Sequence, residues 1–72
     1  MKLPALRPKV VLKILKRAGF IVDRQVGSHI ILIDTNQNRV TLPNHNRDLK
    51  RATLGSIIKQ SGMSEEAFLS LK

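Results

Sequence analysis

Few residues in this chain could carry acid–base chemistry. The 72 residues include two histidines, His29 and His45, and no cysteine. His29 follows Gly27-Ser28, whereas His45 lies in the polar segment 44–46. Histidine exchanges protons near neutral pH because its unperturbed pKa is about 6.5. Either ring could act as acid or base, although sequence position alone favours an ordinary hydrogen-bonded or solvated side chain for both.

The remaining residues form no familiar catalytic or metal-binding pattern. The histidine spacing resembles no helical ligand pair, and Asp23, Asp34 and Asp48 are far apart in sequence. No serine has a nucleophile-elbow context, and no glycine-rich phosphate loop occurs. Glu65 and Glu66 are adjacent and so point in different directions on a helix, which argues against a paired-carboxylate hydrolase. We expect neither a metal nor a cofactor.

Positive charge is the strongest compositional signal. Thirteen Lys and Arg against five Asp and Glu give a net charge of +8, and residues 1–22 hold six basic side chains and no acid. Such a charge attracts polyanions: nucleic acid first, then an acidic protein or an anionic membrane. RNA supplies its own nucleophile, the 2′-hydroxyl. Its cleavage therefore needs only proton transfer, which histidine provides, and charge stabilisation, which Lys and Arg provide.

The apolar pattern predicts the elements that position these residues. Residues 8–18 form a helix with basic side chains on its exposed face, and strands follow at 20–26, 28–34 and 39–42. A turn centred on Asn36-Gln37 places Asp34 opposite Arg39 and Ile31 opposite Leu42. In that register His29 shares a face with Ile31, Ile33, Val40 and Leu42, and it lies at the margin of the core if the helices cover that face. A bulge at Gly27 could re-aim its ring.

Two further helices complete the predicted domain, one over 52–61 and a short one capped by Ser64. The expected fold is α+β, αβββα with a three-stranded antiparallel sheet, helices on one face and a short C-terminal helix, in a single domain over 1–72. This is the layout of double-stranded-RNA-binding domains. No apolar run is long enough to span a membrane, and no secretory signal is visible, so we expect a soluble cytoplasmic protein.

A series of short motifs runs through nearly the whole chain. They are Leu3-Pro4, the basic first helix, Ala18-Gly19-Phe20, Arg24 to His29, and the segments 40–45, 48–54, 57–62 and 64–69. Each motif is weak alone, but the set in this order is specific. With it the chain resembles HicA-type toxins, the mRNA interferases of HicAB toxin–antitoxin modules. The resemblance implies cleavage of mRNA, a catalytic His29, a HicB-type antitoxin as partner, and contact with DNA only through the antitoxin complex.

The chain departs from this family pattern at two positions. Ile30 stands where many relatives have a second histidine, and Ala52 where relatives often have glycine. Adjacent strand residues face opposite ways, so we expect the loss of the second histidine to leave catalysis intact. We expect Ala52 to affect the start of the second helix and to touch no catalytic atom.

The resulting hypothesis is an endoribonuclease in which His29 is general acid or base. Arg24, Ser28, Lys50 and Arg51 would bind the RNA. One alternative is a non-catalytic RNA-binding module with the same fold and charge. Another is an interaction protein whose positive surface serves an acidic partner. A DNA-binding role for the chain alone is the weakest alternative, because no helix-turn-helix signature occurs.

Overall fold

Across residues 3–72, the part of the chain that the computed structural model describes, three helices and three strands follow one another. Their order is α1 (Pro8–Arg17), β1 (Ile21–Val26), β2 (His29–Ile33), β3 (Arg39–Pro43), α2 (Arg51–Gln60) and α3 (Glu65–Ser70). The strands form one antiparallel sheet in the order β1-β2-β3. The expected α+β class is therefore confirmed. Lys2, one of the six basic residues counted in the first segment, lies outside the described residues.

The core lies on one face of the sheet. Alternate residues of β2 and β3 are buried there: Ile30, Leu32, Val40 and Leu42. They join one apolar cluster with buried side chains from the helices, among them Val11, Ile14, Leu15, Leu54, Ile57, Ile58 and Phe68. The alternating residues of the same strands are exposed or half-buried. The helices therefore cover one face, as expected, and the other is an open face. The likeness to double-stranded-RNA-binding domains stays a prediction.

The pairing of β2 with β3 differs by one residue from the expected register. Ile33 pairs with Arg39, and His29 pairs with Pro43. Because side chains alternate between faces, a shift of one residue exchanges the two faces of a strand. The expectation that His29 and Ile31 share a face with Val40 and Leu42 was therefore wrong. His29 lies on the open face.

The cause of this shift is the hairpin loop, which is one residue shorter than expected. The Asp34 amide donates to the Asn38 carbonyl oxygen at 3.2 Å, so the loop consists of residues 35–37. The Gln37 amide donates to the Asp34 carbonyl oxygen at 3.3 Å, and Gln37 itself has φ 66°. A turn followed by one left-handed residue is the common three-residue hairpin loop.

The Asp34 carboxylate holds this loop together. It accepts hydrogen bonds from the Asn36 amide at 3.1 Å, the Asn38 amide at 2.8 Å and Asn38 Nδ2 at 2.9 Å. The Asn38 side-chain bond is the main cause that lowers the pKa of Asp34. Burial opposes it, and the backbone amides of Asn38 and Asn36 add to it. The loop is thus built around the ionised form of this side chain.

We expect Asp34→Ala to lower the melting temperature at pH 7. Because the pKa of Asp34 is lower in the folded chain, its stabilisation is complete above the unfolded pKa of about 3.9. It is lost as pH falls through the folded value. The difference in melting temperature between parent and variant should therefore shrink below about pH 4. Thermal unfolding from pH 2 to 7 measures it. Asp23→Ala, at an exposed acid of β1, is the matched control. Equal losses from both variants would contradict the role of Asp34.

Candidate active site

His29 is placed by a tight turn at one end of the sheet. Val26 of β1 pairs with His29 of β2, so that Gly27 and Ser28 alone connect the strands. Gly27 has φ 58°, a left-handed conformation that glycine adopts without steric cost. The sequence suggested a bulge at Gly27, but the irregularity in this strand pair lies between Val22 and Arg24. The turn, rather than a bulge, therefore presents the exposed His29 at the start of β2.

A groove beside His29 is formed where the sheet meets α2. Its floor includes His29, Thr41 and Pro43, its wall includes Ala52, Thr53, Ser56 and Gln60, and its volume is about 400 Å³. The Thr41 amide donates to Gln60 Oε1 at 3.0 Å, and Gln60 Nε2 donates to Ser56 Oγ at 3.3 Å. These bonds hold α2 along the outer edge of β3. The groove is lined by polar side chains from the sheet and from α2 as well as by apolar ones, is open to solvent, and includes the imidazole of His29.

A second cleft adjoins this groove. Pro43 and Thr53 line both depressions, and His45, Arg47, Asp48 and Lys50 line the second, which has a volume of about 410 Å³. The Asn44 amide donates to the Ser28 carbonyl oxygen at 2.7 Å, which ties the loop after β3 to the turn before His29. The Arg47 amide donates to His45 Nδ1 at 3.1 Å. The two histidines are thus presented at the same end of the sheet.

The structure brings together only some of the residues expected to bind RNA. Lys50 lines the cleft of His45. Ser28 anchors the neighbouring loop through its carbonyl oxygen. Arg24 is exposed on the open face, paired with Ile31, but lines neither depression. Arg51 lies apart, in a depression with Leu3, Pro4, Ala5 and Leu49. The RNA-binding roles of all four residues stay predictions.

Several groove residues were missed by the sequence analysis. A polar stripe on α2 could be predicted from the helical spacing of Thr53, Ser56 and Gln60. The strand against which this stripe lies could not be predicted. Ala52, expected to matter only for the start of the helix, lines the groove that contains His29. Within residues 3–72, no group of three His, Cys, Asp or Glu side chains is placed to hold a metal ion. No helix in that range is long and apolar enough to cross a membrane.

The bond between Thr41 and Gln60 should determine how firmly α2 is held at the edge of β3. We expect Gln60→Ala to lower the free energy of unfolding by about 0.5–1 kcal/mol and to speed hydrogen exchange at the Thr41 amide. Gln60→Glu keeps an acceptor oxygen and should preserve the slow exchange. Amide exchange measured by NMR distinguishes the two variants. Unchanged exchange in Gln60→Ala would show that this bond does not hold the helix.

Comparison with known proteins identifies the family of the chain. No protein with a curated description matches it. The family model described as the HicA toxin of bacterial toxin–antitoxin modules matches residues 9–63, which is well over half of the chain and includes the groove, the cleft and both histidines. The chain therefore belongs to the HicA toxin family.

Proposed function

We propose that this toxin is an endoribonuclease that cleaves mRNA, and so inhibits translation and growth, with His29 as general acid or base. The observation that supports the proposal is the position of His29. Its imidazole is exposed on the open face, at the floor of a polar groove, in a chain of net charge +8. A polyanionic strand could reach the ring there without any rearrangement of the core.

The reaction requires two proton transfers. The 2′-oxygen attacks the adjacent phosphorus, so a bond from phosphorus to O2′ forms while the bond to the 5′-oxygen breaks. The 2′-hydroxyl loses one proton, and the leaving 5′-oxygen gains one. His29 could perform either transfer, since a histidine can take up or release a proton near neutral pH. Lys and Arg side chains of this basic chain would stabilise the negative charge that develops on the phosphate.

The family also implies an antitoxin partner. We propose that this partner is a HicB-type protein encoded beside the toxin and that both act in the cytoplasm, where mRNA is found. The charge of +8 suits an acidic partner as well as RNA. Contact with DNA would then belong to the complex of toxin and antitoxin.

Substitution of His29 tests the catalytic proposal. We expect His29→Ala to reduce the rate of RNA cleavage by about 10²–10⁴-fold, the usual contribution of a positioned acid or base, and to abolish growth arrest on expression. Because His29 is exposed, the melting temperature should change little. Full cleavage by a folded variant would exclude His29 as the catalytic group. If the unsubstituted chain shifts RNA in a gel without cutting it, the non-catalytic RNA-binding alternative is favoured.

The products of cleavage test the proposed nucleophile. Attack by the 2′-oxygen leaves a 2′,3′-cyclic phosphate on one fragment and a 5′-hydroxyl on the other. We expect these ends by mass spectrometry, and we expect cleavage to persist in EDTA. A substrate with a single 2′-deoxy nucleotide at the cleavage site should remain intact. Cleavage of that substrate, or fragments with 5′-phosphate ends, would rule out this mechanism.

A further inference from the structure

The cleft that contains His45 adjoins the groove that contains His29. Pro43 and Thr53 line both depressions. Pro43 is also the pairing partner of His29 across the sheet, and His45 follows it by two residues. An extended ligand that lies across His29 in this groove is therefore close enough to reach the second cleft.

The charges of the cleft favour an anion. Arg47 and Lys50 line it, and both are exposed to solvent. Its one acid, Asp48, has its Oδ1 at 3.9 Å from Arg7 Nε, so a third cation partly offsets that carboxylate. The local balance remains positive. A phosphodiester is the anionic group that an RNA strand would bring to this position.

The hydrogen bonding of His45 determines what its ring can do. Nδ1 accepts the Arg47 amide hydrogen at 3.1 Å, so it must carry a lone pair. The neutral ring then has its proton on Nε2, which can donate a hydrogen bond but cannot accept a proton. His45 Nε2 can therefore donate a hydrogen bond to a ligand while Nδ1 keeps its bond to the Arg47 amide.

We propose that this cleft is a phosphate-binding subsite for the RNA strand, occupied by a phosphodiester next to the one at His29. His45 Nε2, Arg47 and Lys50 are the groups that hold it. They are not catalytic residues, because they bind the strand beside His29 without transferring a proton. The proposal rests on the proposed function, since it takes the strand at His29 to be RNA.

The test measures RNA binding separately from cleavage. A labelled single-stranded RNA is titrated with the His29→Ala chain, which leaves the RNA uncut, at several salt concentrations. Adding Arg47→Ala or Lys50→Ala should weaken binding by about three- to tenfold. Each should also reduce the slope of log affinity against log salt by about 0.7, the value for one lost phosphate contact on a single strand.

A matched control separates a local site from general attraction. Lys13 lies on the exposed side of α1, in a different surface depression with Lys9, Leu12, Lys16 and Arg17. Lys13→Ala removes the same charge and should leave the salt slope unchanged. If it weakens binding and lowers the slope as much as Lys50→Ala does, the subsite is overturned, because attraction would then depend on net charge alone.

Two substitutions of His45 separate its role in the loop from its role toward RNA. Asparagine at this position can still accept the Arg47 amide hydrogen through its own carbonyl oxygen, as in an Asx-turn, but it has no donor where Nε2 lies. We expect His45→Asn to keep the melting temperature and still weaken RNA binding by about three- to tenfold. Parent-like binding by His45→Asn, with weaker binding by His45→Ala, would overturn the role of His45 toward RNA.

Kinetics in the chain with intact His29 distinguish failure of the subsite from failure of the proposed function. Lys50→Ala and His45→Asn should raise KM and leave kcat nearly unchanged, as expected for lost binding that is equal in the ground and transition states. If His29 proves essential but these variants bind RNA like the parent, the subsite fails and the nuclease stands. If these variants bind RNA like the parent but lose binding to an acidic protein partner, the cleft is assigned to that partner instead. If His29 proves dispensable for cleavage but these variants lose RNA affinity, the catalytic role of His29 fails and the subsite stands.

Discussion

The register between β2 and β3 is the constraint on which the site depends. The loop that sets it is closed by hydrogen bonds to the Asp34 carboxylate, at the opposite end of β2 from His29. With this pairing, Ile30 and Leu32 enter the core and His29 stays outside it. A shift of one residue would turn the imidazole toward the helices and replace Ile30 and Leu32 in the core with Ile31 and Ile33. The accessibility of His29 is thus determined by a turn five residues away.

The helices, strands and fold class followed from apolar periodicity and turn residues, but the register did not. Positions 30 to 33 are Ile, Ile, Leu and Ile, so either alternation places apolar side chains toward the core. The length of the hairpin loop therefore determines which of the two sets of side chains faces the core. That length depends on the left-handed conformation of Gln37 and on the hydrogen bonds between Asp34 and Asn38. Gln37 carries no sequence signal for that conformation, unlike a glycine.

The candidate site was predictable to different extents on its two sides. His29 could be selected because the chain has only two histidines and because the resemblance to HicA-type toxins, carried by motifs such as Arg24 to His29, implies a catalytic role for this one. The α2 side required a long-range contact, the bond from the Thr41 amide to Gln60, which no local pattern indicates. Neighbours in sequence also separate in space. Lys50 borders the cleft of His45, whereas Arg51 borders residues 3–5. Lys50 is the N-cap residue with extended backbone and Arg51 is the first residue of α2, so their side chains point in different directions.

Residues that form the core and residues that line the proposed site alternate along the same strands. A chain of 72 residues supports only one core, and that core takes Ile30, Leu32, Val40 and Leu42. The intervening positions, which include His29 and Thr41, contribute little to burial. Substitutions there can change binding or catalysis at small cost in stability, whereas changes at the core positions leave cavities in the only core. This separation explains how so small a domain can hold a polar groove, because the groove occupies the sheet face and helix edge that the core does not use.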